Sequence, residues 1–158
     1  MGIWGKLASR YEGKEDQKHK ILALDGGGIR GILTLEALAQ MEEMLANATG
    51  GGAEFRLCQF FDYVGGTSTG AIIAAGLARG MSARELLKFY EETGPAMFDK
   101  QFFLKRWNAL YKSQPLEIEL QKTFGQETTL KPDDLECLLL VVTRNRTTDS
   151  PWPISSNP

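Results

Sequence analysis

The sequence has few of the residues that bind metals or form disulfides. Its 158 residues include two cysteines, Cys58 and Cys137, and one histidine, His19. Two distant cysteines in apolar surroundings form neither a disulfide framework nor a zinc site, so we interpret both as buried, reduced thiols. His19 precedes the first predicted strand and is separated from the far end of that strand by roughly 20 Å of extended chain. It is therefore not expected to complete a catalytic triad there, and no metal or other cofactor is expected.

The sequence also lacks a long hydrophobic run and an excess of charge of either sign. Its longest apolar stretch, Ala71–Ala78, is far too short to span a membrane. The 18 basic and 20 acidic residues give a net charge of −2, which argues against a nucleic acid polymer as partner. A chain of this length with 42% apolar residues is long enough for the core of one domain. We expect a cytoplasmic protein that contacts a membrane, if at all, peripherally at its inner face.

What the sequence does contain is a Gly-x-Ser-x-Gly motif in the stretch Gly66–Gly70. The motif lies between a strand-like run that ends at Val64 and the helix-like run Ala71–Ala78. This order is typical of a nucleophile elbow, in which the serine hydroxyl projects above the sheet and flanking glycines let strand and helix approach. The pattern predicts Ser68 as a nucleophile supported by Gly66 and Gly70. The alternative interpretation is a glycine-rich connection in which Ser68 only caps the helix.

A second glycine-rich turn follows the first predicted strand. Ile21–Leu24 is a short apolar run typical of a strand buried on both faces, and Asp25–Gly31 follows it. Apolar residues then recur at helical spacing from Ile32 until Gly50–Gly52 ends the helix. Turns at the carboxyl ends of parallel strands lie at the same edge of a sheet, so the two turns should meet.

Together the two turns offer a hydroxyl and a set of unhindered backbone N–H groups. We predict that an oxyanion would be bound by N–H groups close to helix N-termini, those of Gly26, Gly27, Gly28 and Thr69. Arg30 would brace this loop or attract anionic head groups. With His19 remote, the activator of Ser68 is expected to be a carboxylate.

The glycine loop also resembles two nucleotide-binding motifs. Gly26–Gly31 fits the dinucleotide fingerprint Gly-x-Gly-x-x-Gly, but no acidic residue stands at the required position after a second strand. A P-loop is excluded because neither glycine loop is followed by Lys-Ser or Lys-Thr. Two alternatives to an enzyme stay open, a non-catalytic module that binds an anion such as a nucleotide phosphate and a regulatory fragment that pairs with a complete copy.

The remaining segments are predicted from shorter signals. Residues 1–19 form a leader that is expected to fray, although an amphipathic membrane or partner contact is the alternative. Ser82–Glu85 has the form of a capping box that opens a helix to about Glu92, where Gly94 and Pro95 end it. The aromatic and basic residues 96–114 suggest a lid or lipid-facing surface, with ordinary core packing as the alternative. Further expectations are a helix from Pro115 to Phe124, a buried strand within Leu135–Thr143 and no element in 144–158.

The motifs Asp25–Gly31 and Gly66–Gly70, in this order and spacing, resemble those of the patatin-like phospholipase family. The resemblance runs from about residue 20 to the end, so residues 20–158 are expected to be the N-terminal portion of such a domain. It implies an α/β three-layer sandwich with a largely parallel central sheet. It also implies a Ser-Asp dyad in which Ser68 is the nucleophile, an oxyanion hole at Gly26–Gly28, and metal-free hydrolysis of acyl esters of phospholipids or related lipids.

The sequence departs from the family pattern at the dyad aspartate. The family places this residue in a later Asp-Gly-[Gly/Ala] motif, whereas the only Asp-Gly here is Asp25-Gly26 in the first loop. The role is therefore assigned to none of the aspartates that lack this context, which are Asp62, Asp99, Asp133, Asp134 and Asp149. About three predicted strands are also few for the family's sheet. We expect an incomplete domain, from a longer or a truncated protein, that is inactive or feeble alone; its oligomeric state is not predicted.

Overall fold

The structure is a computed structural model that describes residues 2–97, 114–145 and 147–157. It combines a four-stranded, largely parallel sheet with helices, which is a mixed α/β fold as predicted. The strands are β1 (Ile21–Leu24), β2 (Tyr63–Thr67), β3 (Leu138–Arg144) and β4 (Pro151–Ser155). The helices are α1 (Ala8–Tyr11), α2 (Gly31–Thr49), α3 (Leu57–Phe60), α4 (Thr69–Ala78), α5 (Ala83–Met97) and α6 (Gln114–Phe124). The aromatic stretch predicted as a lid lies mostly outside the described residues.

The sheet has the order β1-β2-β3-β4, and its first three strands run parallel. Leu24 at the end of β1 is in register with Gly66, and Thr67 at the end of β2 is in register with Val142. The two glycine turns therefore leave the sheet at the same edge, as predicted. The expectation that β1 is buried on both faces is wrong, because Ile21 is 66% exposed and only β2 pairs with β1 in the described residues.

The prediction that no element follows residue 144 is also wrong. Strand β4 pairs antiparallel with β3, with Trp152 opposite Thr143 and Ile154 opposite Val141. The prolines of this strand argued against it, since proline cannot donate to a ladder. They are tolerated because β4 pairs only with β3 within the described sheet. A missing N–H group that would face the other side of β4 costs no hydrogen bond to a neighbouring strand.

The main core lies between the sheet and helices α2, α4 and α5. Helix α4 packs on β2 and β3, and α5 packs on α2. The predicted stripe of α2 buries Leu35 and Leu38 but leaves Leu33 71% exposed, and Gly50 ends the helix in the left-handed conformation (φ +72°). Both cysteines lie in this core as free thiols, and burial raises the pKa of Cys58 to about 11 and that of Cys137 to about 12.

Helix α5 begins at the predicted capping box. The Ser82 hydroxyl accepts a hydrogen bond from the Glu85 N–H at 3.1 Å, and the Glu85 carboxylate accepts one from the Ser82 N–H at 2.7 Å. The predicted end at about Glu92 is wrong, since the helix continues through Gly94 to Met97. Packing of its buried face, which includes Leu86 and Tyr90, outweighs the helix-breaking tendency of this sequence.

The N-terminal leader packs on the sheet instead of fraying. Leu7 and Tyr11 are buried against Leu138, whereas the next residue, Leu139, belongs to the main core. Successive strand residues point to opposite faces, so the leader covers the face opposite α4. Arg10 donates hydrogen bonds to the Asp62 carboxylate and to three backbone carbonyls, those of Cys58, Phe61 and Glu136. Among the helices that the structure describes, none has the length and apolar character of a transmembrane span.

Candidate active site

Ser68 lies at a sharp turn between the last residue of β2 and the first residue of α4. Its backbone has φ +50° and ψ −123°, a conformation that non-glycine residues rarely adopt. The residue is exposed, while its neighbours Gly66 and Thr69 are buried. The turn thus holds the serine side chain at the surface of the sheet edge, directly before the N-terminus of a ten-residue helix.

The alternative role of Ser68 as a helix cap is wrong for this structure. The Ser68 side chain makes no capping hydrogen bond at the start of α4. A capping serine would instead direct its oxygen to the second or third helical N–H and have an extended backbone. The strained turn therefore leaves the Ser68 hydroxyl available for another use.

The glycines beside Ser68 are required by close backbone approach. A Cβ atom on Gly66 would lie 2.4 Å from the carbonyl carbon of Gly70, and one on Gly70 would lie 2.3 Å from the carbonyl oxygen of Leu24. Any side chain at these positions would push α4 away from the ends of β1 and β2. Both glycines therefore support the turn by letting the helix start directly above the strands.

The glycine loop after β1 lies against the serine turn. A Cβ atom on Gly26 would lie 2.8 Å from the Cβ atom of Ser68. The Gly26 N–H donates to the Thr67 hydroxyl at 3.1 Å, and the Gly27 N–H donates to the Thr69 hydroxyl at 3.0 Å. The structure thus brings together the two turns that the sequence pairs.

The next residues of the loop turn into α2. Gly28 has φ +58°, which favours glycine, and no hydrogen bond is formed by its N–H within the described part of the chain. Arg30 is exposed beside the loop, and its N–H donates to the Gly27 carbonyl at 3.1 Å. Gly31, the first residue of α2, is buried.

Sequence analysis does not predict that Tyr90 of α5 contacts the serine turn from beneath. Its hydroxyl donates to the Thr69 carbonyl at 2.8 Å, and a Cβ atom on Gly31 would lie 3.0 Å from its ring. Tyr90 is fully buried, and burial raises the pKa of its hydroxyl above the usual value. Its position in the apolar stripe of α5 predicts burial, and a buried tyrosine hydroxyl needs a partner. Which partner it has could be read only from the fold.

His19 and most acidic candidates lie away from the serine. The Nδ1 atom of His19 is 3.6 Å from the carboxylate of Asp62, which precedes β2 and thus lies at the opposite edge of the sheet from Ser68. Asp149, between β3 and β4, pairs with Arg144. Asp133 and Asp134 precede β3, and Asp99 lies outside the described residues. No cluster of three metal-binding side chains occurs in the ranges that the structure describes.

The known proteins that this chain resembles are phospholipases and patatins. The family model described as patatin-like phospholipase matches residues 22–152. The chain is 36% identical over 152 residues to a cGAMP-activated phospholipase of Vibrio cholerae, a match that covers 89% of this chain and 42% of that protein. It is 33% identical over 142 residues to a protein of the same name in Escherichia coli, covering 84% and 38%. It is 34% identical over 113 residues to Patatin-1-Kuras 2 of Solanum tuberosum, covering 65% and 30%. The chain thus spans about two fifths or less of the length of these relatives.

Proposed function

The chain belongs to the patatin-like phospholipase family, and from this membership we propose that the full-length protein hydrolyses acyl esters of phospholipids or related lipids, with Ser68 as nucleophile. The observation that carries the proposal is the exposed Ser68 at φ +50°, in contact with the glycine loop. An anion-binding module would need the glycine loop but not a strained, uncapped serine beside it. This geometry therefore favours the hydrolase over the binding module.

In the proposed reaction, the Ser68 oxygen attacks the ester carbonyl carbon while its proton passes to a carboxylate base. The developing oxyanion is stabilised by N–H groups of the Gly26–Gly28 loop and of Thr69, and Gly66 and Gly70 keep the turn in place. The C–O bond to the alcohol breaks as the alcohol takes the proton, leaving an acyl-serine that water hydrolyses to the free acid. No residue of this chain is assigned as the base, so we expect the 158-residue chain alone to react feebly.

The electrostatics of the turn support this role. Negative charge beside the N-terminus of α4 is favoured by the aligned peptide dipoles of that helix. Loss of one oxyanion donor typically costs about 3–4 kcal/mol in the activation barrier. Arg30 is proposed to support the loop or to attract anionic head groups, since it is exposed next to it.

Peripheral contact with a lipid surface is part of the proposal. Ile29 is 50% exposed and Leu33 is 71% exposed, one helical turn apart beside the glycine loop, with Arg30 between them. Exposed apolar groups next to a cation suit a bilayer that carries anionic lipid. Replacing Ile29 and Leu33 by serine should reduce co-sedimentation with anionic vesicles; unchanged binding would contradict this part.

Regulation is proposed from the relatives' names alone. Two of them are named cGAMP-activated phospholipases, and we extend to this protein the proposal that cGAMP raises its hydrolase activity. Turnover measured at increasing cGAMP concentration should rise. Constant turnover over the whole range would contradict this proposal without affecting the role of Ser68.

The central test is Ser68→Ala in the full-length protein. Ester hydrolysis should fall by at least about 10³-fold, and a fluorophosphonate probe should label the wild type at Ser68 but not the variant. Ser82→Ala is the matched control, because the Ser82 hydroxyl caps α5 and should affect stability but not labelling. Undiminished turnover by the Ser68→Ala variant would overturn the proposed function.

A further inference from the structure

Two threonines flank Ser68, and each accepts a hydrogen bond from the opposite turn. Thr67 Oγ1 is 3.1 Å from the Gly26 nitrogen, and Thr69 Oγ1 is 3.0 Å from the Gly27 nitrogen. Thus two successive N–H groups of the glycine loop are each tied to the residue on one side of the serine. The two bonds link the loop and the serine turn into one unit.

This arrangement divides the candidate oxyanion donors into two groups. The N–H groups of Gly26 and Gly27 are engaged by threonine hydroxyls, whereas those of Gly28 and Thr69 form no hydrogen bond in the ranges that the structure describes. An N–H group that already donates to a hydroxyl is a poorer donor to an oxyanion than one that is free. The free pair comprises one donor from each turn, which is the composition of an oxyanion hole at a nucleophile elbow.

We infer that Thr67 and Thr69 are positioning residues whose hydroxyls hold the glycine loop so that the N–H groups of Gly28 and Thr69 bind the oxyanion. The inference rests on the proposed hydrolase function and adds a role for two side chains. Both residues are β-branched, which restricts the side-chain torsion and keeps each hydroxyl aimed at its glycine.

The two threonines should contribute unequally. Thr69 is 3% exposed, so water cannot replace its hydroxyl as acceptor for the Gly27 N–H. Thr67 is exposed, so water can compensate for part, but not all, of its lost hydrogen bond to Gly26. Removal of the Thr69 hydroxyl should therefore disturb the loop more than removal of the Thr67 hydroxyl.

The test compares Thr69→Val, Thr69→Ser and Thr67→Val in the full-length protein. Valine keeps the branched shape without the acceptor, and serine keeps the acceptor. The control is Thr49→Val, at the end of α2, where the lost hydroxyl bond to the Leu45 carbonyl is remote from the site. For each variant we would measure kcat and KM with one lipid ester, the rate of fluorophosphonate labelling, and the melting temperature.

We expect Thr69→Val to lower kcat by about 10- to 100-fold, because a displaced donor stabilises the transition state less. KM should stay within about twofold, and the labelling rate should fall with kcat, since phosphonate attack needs the same oxyanion donors. Thr69→Ser should restore most of kcat. Thr67→Val should lower kcat by about fivefold, and Thr49→Val should leave kcat and KM unchanged.

Wild-type kcat in Thr69→Val would overturn the inference, and so would equal losses in the valine and serine variants. If Thr69→Val fails to fold, Thr67→Val, whose side chain is exposed, decides the matter: unchanged kcat and labelling rate there would overturn it. The Ser68→Ala variant tests the proposed function separately, because undiminished turnover in that variant would disprove the role of Ser68 as nucleophile. If Ser68→Ala is inactive and Thr69→Val is fully active, only the proposed positioning role of the Thr69 hydroxyl is disproved.

Discussion

Helix propensity and the tertiary structure predict opposite effects of Gly70→Ala on the stability of the protein. Gly70 is the second residue of α4, where alanine is favoured over glycine by up to about 1 kcal/mol. Propensity alone therefore predicts a more stable protein. The structure predicts the reverse, because the new Cβ atom would lie 2.3 Å from the Leu24 carbonyl oxygen and 2.7 Å from that of Asp25.

The size of the effect follows from what would have to move. Carbon and oxygen atoms normally stay at least about 3.3 Å apart, so α4 and the end of β1 would have to separate by roughly 1 Å. Overpacking costs about 1–3 kcal/mol, and the upper end applies because both obstacles are backbone atoms of a strand paired with β2. After subtraction of the propensity gain, we expect a loss of about 2 kcal/mol, or roughly 30-fold in the unfolding equilibrium constant.

Urea unfolding followed by circular dichroism would measure this loss as a lower midpoint at unchanged slope. Gly76→Ala is the control in the same helix, since its Cβ atom would meet the terminal carbons of the Leu86 side chain, which can move by side-chain rotation, rather than backbone atoms. We expect a smaller loss there, about 1 kcal/mol or less. A Gly70→Ala protein as stable as the wild type, or a loss at Gly76 equal to that at Gly70, would show that backbone contact does not decide the choice of glycine at position 70.

Two further predictions concern buried and partly buried carboxylates. The two carboxylate oxygens of Glu42 accept hydrogen bonds from the Leu57 N–H at 3.2 Å and the Ala83 N–H at 2.8 Å. The amide of Glu42→Gln has one oxygen, so one of these N–H groups would face an amide nitrogen and lose its acceptor. We therefore expect urea unfolding to show a loss of about 1–3 kcal/mol. At Asp62, burial favours the neutral acid, but hydrogen bonds from Lys20 and Arg10 outweigh it and hold the carboxyl pKa below its usual value. A lowered pKa adds stability that is complete above about pH 5 and is lost as the pH falls through the folded value. Stability measured between pH 7 and 3 should therefore fall less steeply in Asp62→Asn.

Each of these two predictions has a control. Glu43→Gln removes an exposed carboxylate that pairs with Arg84 at 3.7 Å and should change stability by less than about 0.5 kcal/mol. A loss in Glu42→Gln no larger than in Glu43→Gln would contradict the role of Glu42. For Asp62, identical pH profiles of wild type and variant would show that its ionisation does not contribute to folding.

Several elements could be predicted from sequence because their causes are local. Helix α2 follows from apolar spacing and ends at a glycine with φ +72°, and α5 begins at a reciprocal Ser82–Glu85 cap. The predicted strand within Leu135–Thr143 appears as Leu138–Arg144. Each signal lies within a few residues of the structure it specifies.

Other elements depended on partners that are distant in sequence. Strand β4 contains prolines and forms because the edge of β3 is there to pair with it. The leader is held by Tyr11 and Arg10 against residues more than 40 positions away. Hydrophobic periodicity and turn residues do not predict such contacts, because both depend only on residues that are close together in the sequence.

At the candidate site, the two turns, their glycines and the serine between strand and helix could be predicted from the sequence, because close approach and positive φ restrict residue choice locally. The contacts between the turns could be read only from the folded chain. Ser68 is uncapped and exposed, the hydroxyls of Thr67 and Thr69 accept hydrogen bonds from the N–H groups of Gly26 and Gly27, and Tyr90 lies beneath them. Such hydrogen bonds between segments depend on the register of β1 against β2, which no single segment specifies.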